Sequence, residues 1–285
     1  MVRIVSWNIQ NGLGVDKVLS LDRIANTITA MGEADVICLQ EVSVNMELAD
    51  GSTTDQVQEL CRLFDGYASF FGVAVDIAVT AFASGERAQY GNLVLSRLPV
   101  QSVFYHLLPQ PADGCIKQMP RQMVEITVET PNQSLRIMTT HLEYHSEAQR
   151  YAQTKRLMEI QSEVVSLESD PPFAQPKGPY AKLERPGNCI VCGDFNFLQD
   201  SPEYRLVTNS ASPEFRLIDA WTSINPNEPH PPTCGIYDSQ QWPQGPHCRD
   251  FIFVSTGLVD QITQVSVDID TNASDHQPLE IILED

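Results

Sequence analysis

No apolar run in this sequence approaches the roughly eighteen residues that a membrane-crossing helix needs, which leaves no segment for stable insertion into a bilayer. Basic residues are scarce: 18 Lys and Arg stand against 37 Asp and Glu, a net charge of −19. Binding to nucleic acid draws mainly on Lys and Arg contacts to phosphate, and the sequence has no basic cluster to supply them, so extended nucleic acid is a disfavoured partner. An acidic surface also keeps a protein soluble and by itself names no partner. Cysteine numbers only seven, an odd count, and a chain of 285 residues needs no disulfide framework; reduced, buried thiols are expected. Cys189 and Cys192 form a C-x-x-C, but residues three apart in a strand face opposite ways, which speaks against a shared metal or a disulfide. No secretory apolar segment opens the sequence, and a cytoplasmic location is expected. There is no internal repeat and no break in composition. Residues 1–285 therefore read as one domain, with Pro-rich surface loops near 170–187 and 223–248.

What is present centres on Cys189-Ile190-Val191-Cys192-Gly193-Asp194-Phe195-Asn196. Four apolar or weakly polar residues predict a strand buried on both faces, and the glycine ends it. A carboxylate and an amide follow, one residue apart, at the place where open α/β sheets gather their ligands. Gly-Asp-x-Asn is also an ordinary turn sequence, so this stretch needs support from elsewhere in the chain.

That support comes from the order of elements. Residues 2–9 read as a strand ending near Asn8, Val18, Leu21, Ala25 and Ile28 recur at helical spacing, and a second strand over 36–39 finishes at Gln40-Glu41. Strand, helix, strand and acid make a βαβ unit with a carboxylate at its tip. A helix is predicted over 53–64, strands over 67–75 and 91–96, and a polar loop over 80–90. Clean alternation over 121–129, with Val124, Ile126 and Val128 on one face and Glu125, Thr127 and Glu129 on the other, predicts a half-buried strand. A strand over 135–140 ends at His141. Ser146 and Gln149 then form a capping box before a helix with an apolar stripe of Leu157, Ile160, Val164 and Leu167. A short helix over 201–208, a short extended piece over 217–221, and strands over 250–254, 259–267 and 279–283 complete the α/β reading.

Polar residues fall repeatedly at predicted strand ends: Asn8, Glu41, Asn92, His141, Asp194, Asn196, Asp250, Asp275 and His276. The blocks Trp7-Asn8, Leu39-Gln40-Glu41, Gly91-Asn92 through Arg97, Thr140-His141-Leu142, Gly193 to Asn196, Arg249 to Ile252 and Ser274-Asp275-His276 resemble the endonuclease/exonuclease/phosphatase superfamily, in its order and over nearly the whole chain. The resemblance implies an α/β (α+β) four-layer sandwich, two face-to-face mixed β-sheets flanked by helices, with the site where strand ends meet. It implies a divalent-metal phosphohydrolase. The oxygen ligands available suit Mg²⁺, with Mn²⁺ as the alternative, rather than zinc.

Carried over by position, the resemblance makes Glu41 the chief metal ligand, Asn8 a helper, and Asp275 a ligand or close neighbour. Asp194 would orient or deprotonate the attacking water, and Asn196 would hold a phosphate oxygen or a water. His276, oriented by Asp250, would donate to a non-bridging phosphate oxygen, and His141 would protonate the leaving oxygen or bind the phosphate. Asn92 and Arg121 are the candidate phosphate-binding residues. Trp242, in the long loop, is either a substrate contact or a packing residue. The sparse cations favour a small or lipid-type phosphodiester or phosphomonoester as substrate. The alternative is an endo- or exonuclease in which Arg87, Arg97, Lys117 and Arg121 converge in the fold.

Overall fold

The computed structural model describes residues 1–79, 85–209 and 215–284. Its N-terminal part is the expected βαβ unit: β1 (Val2–Asn8) and β2 (Val36–Glu47) pair in parallel across α1 (Leu21–Met31). The Ser20 side chain accepts the N–H of Arg23 and starts α1, so Leu21, Ile24, Ala25 and Ile28 form the buried stripe. Val18, expected in that stripe, precedes the cap and is exposed.

Two mixed sheets follow. The first has seven strands, ordered β12 (Ile262–Val267), β13 (Leu279–Leu283), β1, β2, β5 (Arg87–Ser96) and β4 (Ala68–Ala78), with β3 (Thr53–Asp55) attached to β2. The second has six strands, ordered β10 (Leu217–Asp219), β11 (Asp250–Ser255), β9 (Cys189–Asp194), β8 (Ser134–His141), β7 (Gln122–Glu129) and β6 (Val100–Leu107). One apolar core lies between the sheets, joining Ile4, Cys38 and Val94 of the first to Val124, Ile190, Cys192 and Ile252 of the second. A second core lies under α1 and α2 (Gln56–Leu63). A third lies under α3 (Glu147–Ser169) and α4 (Pro202–Thr208), around Phe195, Phe197, Phe251 and Phe253. Helices thus cover both outer faces, which gives the four-layer sandwich. A short helix, α5 (Ala220–Ile224), packs its Ala220 into the inter-sheet core. All cysteines are free, and Cys189 and Cys192 point into different cores, as strand alternation requires.

Several expectations are corrected. The helix predicted over 53–64 begins only at Gln56, because residues 53–55 pair with β2 as β3. Of the loop predicted over 80–90, residues 80–84 lie outside the described residues, and the chain is already in β5 from Arg87. Thr256–Gln261 is a 3₁₀ turn that delays the strand predicted from residue 259, and the extended piece over 217–221 turns into α5 at Ala220. The strand β6 was not predicted at all, because its burial follows no clean alternation. Leu167, assigned to the apolar stripe of α3, is half exposed.

The largest correction concerns β7, which is buried on both faces. Its polar face is covered by charge pairing. Arg185, from the Pro-rich loop, donates from Nε to Glu125 Oε1 at 2.5 Å and from Nη2 to Oε2 at 2.9 Å. His106 Nε2 lies 3.0 Å and Arg136 Nη1 3.7 Å from the same carboxylate. Burial alone would raise the Glu125 carboxyl, but Arg185, His106 and Arg136 outweigh it and hold the group at about 2. A depressed carboxyl pKa gives stability that is complete above the unfolded value of 4.5 and is lost as pH falls through about 2. Denaturant unfolding between pH 6 and pH 2 should therefore show a loss on the order of 3 kcal/mol from this group. The Glu125→Gln variant should lack that component, and parallel pH profiles for variant and parent would contradict the assignment.

Candidate active site

Strand register brings three of the predicted residues into a row. His141, the last residue of β8, stands opposite Asp194 at the end of β9, and Asp194 stands opposite Asp250, the first residue of β11. Asn8 closes β1 in the facing sheet. Glu41 arrives differently. It was expected at a strand end, yet β2 runs on to Glu47; Glu41 sits at a bulge where the β2–β5 register shifts between Leu39 and Val42. Its φ of 60° is the left-handed conformation that a bulge demands and that few side chains adopt. The bulge turns a mid-strand carboxylate toward the strand ends of the other sheet.

The resulting contacts are dense. Asn8 Nδ2 donates to Glu41 Oε1 and to Asp194 Oδ2, each at 3.0 Å, while its Oδ1 accepts from Gln10 N at 3.1 Å. Asp194 Oδ1 accepts the N–H of Asn196 at 2.9 Å, and Asn196, itself at φ 54°, donates from Nδ2 to Leu142 O at 3.0 Å. His276 Nδ1 lies 2.8 Å from Asp250 Oδ2, which also accepts from Thr233 Oγ1 at 2.6 Å. His276 Nε2 is 3.7 Å and His141 Nε2 3.4 Å from Asp194 Oδ2. Asp275 Oδ2 accepts from Trp242 Nε1 at 3.3 Å.

Electrostatics divides the groups by role. Burial, then the charge of Asp275, raises the Glu41 carboxyl; burial, then Asp250, raises Asp194. Burial disfavours the His276 imidazolium, but Asp250, Asp194 and Asp275 outweigh it and hold this histidine well above its ordinary range. His141 is the opposite case: burial, with Arg121 and His276 adding to it, keeps it well below and therefore neutral. Two histidines in one site thus carry different charges.

These groups open onto a cavity of about 400 Å³, lined by Glu41, Asp194 and Asp275 together with His141, His276 and Arg121. Larger hollows of about 580 Å³ lie elsewhere on the surface and contain none of these residues. Arg121 is buried, with Nε on Glu143 Oε2 at 3.3 Å and Nη1 without a protein partner. A buried guanidinium nitrogen with nothing to bind, on a cavity wall, is a place for an anion. Lys117 also lines the cavity.

Nine of the ten predicted site residues meet here or support those that do. Asn92 does not line the cavity; its Nδ2 donates to Gln122 O at 3.2 Å and ties the two sheets together. Further residues hold these groups in place. Trp242 is buried, and its ring stands edge-on to His276 at 5.6 Å. The Arg249 guanidinium lies 5.2 Å from the same indole and donates to Asn196 O at 2.9 Å. Tyr90 and Glu143 complete the wall. Trp242 and Arg249, the latter directly before Asp250, had a signal in the sequence, whereas Tyr90 and Glu143 were missed. Asp194, Asp250 and His276 place ligand atoms within 4.8 Å of one another, a possible acidic metal site. Their hydrogen-bonding atoms are largely spent on each other and on Thr233, Asn8 and Asn196.

The model of the endonuclease/exonuclease/phosphatase family matches residues 5–163 and 169–276, so the chain belongs to that family, whose members are hydrolases of phosphate esters. Comparison with curated protein sequences gives no match. Among solved structures, the chain is similar to an endonuclease/exonuclease/phosphatase from Beutenbergia cavernae, at 23% identity over 98% of this chain and 70% of that chain, with a TM-score of 0.70. A mannosyl-6-phosphatase from Bacteroides thetaiotaomicron is 16% identical over 100% of both chains, with a TM-score of 0.68. The human Nocturnin catalytic domain, solved with a bound sulfate anion, is 20% identical over 98% of this chain and 92% of that chain, with a TM-score of 0.60.

One glycine fixes the approach to Asp194. Gly193 has φ 138°, and a Cβ there would stand 1.9 Å from Thr140 O. Gly193→Ala should destabilise the fold by about 2 kcal/mol or more, since the obstacle is backbone and cannot rotate aside. An unchanged melting temperature would show that β8 and β9 are not this close.

Proposed function

We propose that the chain is a divalent-metal-dependent phosphoric ester hydrolase, using in-line attack by water on a small or lipid-type phosphodiester or phosphomonoester. The observation that carries this is the division of the cavity, with Glu41, Asp194 and Asp275 on it beside His276 and the unpartnered Arg121 nitrogen. A carboxyl raised by burial and by a neighbouring carboxylate, as Glu41 is beside Asp275, calls for a cation; a buried, unsatisfied guanidinium calls for an anion. A phosphate ester with its metal answers both.

The donor set fits a hard cation. Glu41 and Asp275 would hold Mg²⁺, or Mn²⁺ in its place, through carboxylate oxygens, with Asn8 fixing Glu41 through its amide nitrogen. Such an ion, when bound, supplies charge neutralisation and polarisation at a phosphoryl oxygen. Asp194 orients the attacking water and accepts its proton, aided by a carboxyl raised above the ordinary range. Asn196, whose amide nitrogen is engaged by Leu142 O, directs its carbonyl oxygen to the same water. His276, held protonated, donates from Nε2 to a non-bridging oxygen as negative charge develops, and Asp250 fixes its ring through Nδ1. His141 is neutral, so of its two expected roles the hydrogen bond to phosphate is the better supported. Arg121 takes another phosphate oxygen through Nη1.

The nuclease alternative has less support. Lys117 and Arg121 line the cavity, but Arg87 is paired with Asp76, and Arg97 with Glu33 and Asp35. Two cations at one phosphate suit a small ester better than a polymer backbone.

Asp194→Asn and His276→Gln should each lower kcat on bis(p-nitrophenyl) phosphate or a small phosphomonoester on the order of a hundred- to ten-thousand-fold. Chelator should abolish parent activity and Mg²⁺ restore it. Wild-type turnover in either variant would remove these roles. Arg121→Met should act chiefly on KM, raising it about tenfold or more through loss of a charged hydrogen bond. An unchanged KM would place Arg121 outside substrate binding.

A further inference from the structure

A groove of about 380 Å³ lies beside the catalytic cavity and shares Gln10 and Tyr90 with it. Its sides come from two segments. Leu13 and Leu19, which face each other across an isolated β-bridge, belong to the loop before α1; Met46, Leu48 and Ala49 follow the Glu41 bulge at the end of β2. The floor between them is fixed by hydrogen bonds. Gln56 donates from Nε2 to Asn11 O at 2.6 Å and accepts the N–H of Ser43 at 3.0 Å, and the Ser43 hydroxyl bonds to the Asn11 side chain. Gln10 and Asn11 are held at φ 45° and 54°, a conformation that Asn tolerates and Gln seldom adopts. The floor joins the catalytic site directly, since Gln10 N donates to Asn8 Oδ1 at 3.1 Å.

Charge separates the two compartments. Lys117 and Arg121 line only the catalytic cavity. Among the described residues, Glu47 is the one charged residue lining the groove, and no cation does. A phosphate seated against Arg121 and His276 would leave the rest of the ester to run past Tyr90 into walls of Leu and Met. A second phosphate or a carboxylate there would find no cation and would face Glu47, with only the neutral polar groups of Gln10, Asn11, Ser43 and Tyr90 beside it.

We propose that this groove is the subsite for the organic group of the substrate, and that it selects an uncharged, largely apolar alkyl or aryl group over a polyanionic one. The inference rests on the phosphate-ester reading of the adjoining cavity and names the class of ester it takes. Tyr90, on the wall of both compartments, would contact the first atoms beyond the ester oxygen.

The test uses alkyl phosphonates, which bind without turnover, measured calorimetrically in Mg²⁺ on the intact chain. From methyl- to butyl- to hexylphosphonate the affinity should rise about two- to fourfold per added CH₂ until the groove is filled. Leu48→Asp should flatten this rise while leaving methylphosphonate unchanged. Ala49→Glu, at an exposed position, serves the same purpose where Leu48→Asp fails to fold. A carboxyalkyl phosphonate of matched length should bind no better than methylphosphonate. Equal affinities for methyl- and hexylphosphonate, or a chain-length rise that survives both substitutions, would overturn the proposal. Failure of methylphosphonate itself to bind would instead remove the phosphate reading and this inference with it. Length-dependent binding with no hydrolysis of the corresponding p-nitrophenyl alkyl phosphates would leave the subsite standing and count against catalysis.

Discussion

Two carboxylates, Asp194 and Asp250, are paired in register on neighbouring antiparallel strands, both buried. Like charges directly across a sheet destabilise it, and burial adds a desolvation cost. What makes the arrangement tenable is His276, whose imidazolium bonds Asp250 at 2.8 Å and approaches Asp194 at 3.7 Å. Thr233 Oγ1 and the Asn8 amide donate to the same two oxygens, Asp250 Oδ2 and Asp194 Oδ2. The sandwich edge is therefore held by polar groups where a core would use aliphatic ones, and the geometry of any chemistry there is set by the same hydrogen bonds that keep the strands together.

The rest of the fold serves this edge. The Phe-rich core under α3 and α4 anchors β9 and β11, the strands that carry the two acids. The parallel pairings of β1 with β2 and of β8 with β9 bring strand ends of both sheets to one side. The long Pro-rich loop, which has little regular structure of its own, returns Trp242 to Asp275 and His276. Its indole is buried and lines the cavity, so it packs against His276 and gives polar support to Asp275 at once. His141 and His276, both near Asp194 Oδ2, show how two identical side chains are shifted in opposite directions by their neighbours.

Most of this was legible in the sequence because strand ends write themselves as an apolar run followed by a polar residue. Asn8, His141 and Asp194 obey that rule, and Asp250 obeys it in reverse, as the polar residue that opens a strand. Glu41 satisfied it only in appearance: a bulge, which leaves no periodicity signal, does the work that a strand end was expected to do. Asn92 failed for the complementary reason, as a polar residue inside a strand whose amide is consumed by a neighbouring carbonyl. Alternation over residues 121–129 predicted a solvated face, but charged partners from a distant loop and from β6 and β8 covered it. Local patterns report what a residue is, whereas burial of Glu125 depends on three partners remote in sequence. Tyr90, Glu143 and the groove beside Gln10 escaped for the same reason, since each becomes a site feature only after separate segments meet.

In the function proposed, Glu41 and Asp275 form a site whose charge is completed by a divalent cation. Calorimetric melting of the parent and of Glu41→Gln, each in chelator and in millimolar Mg²⁺, tests it without any substrate, because an ion that binds only the folded state raises its melting temperature. A clear Mg²⁺-dependent rise is expected for the parent and little or none for Glu41→Gln. An equal rise in both proteins, or none in the parent, would contradict it.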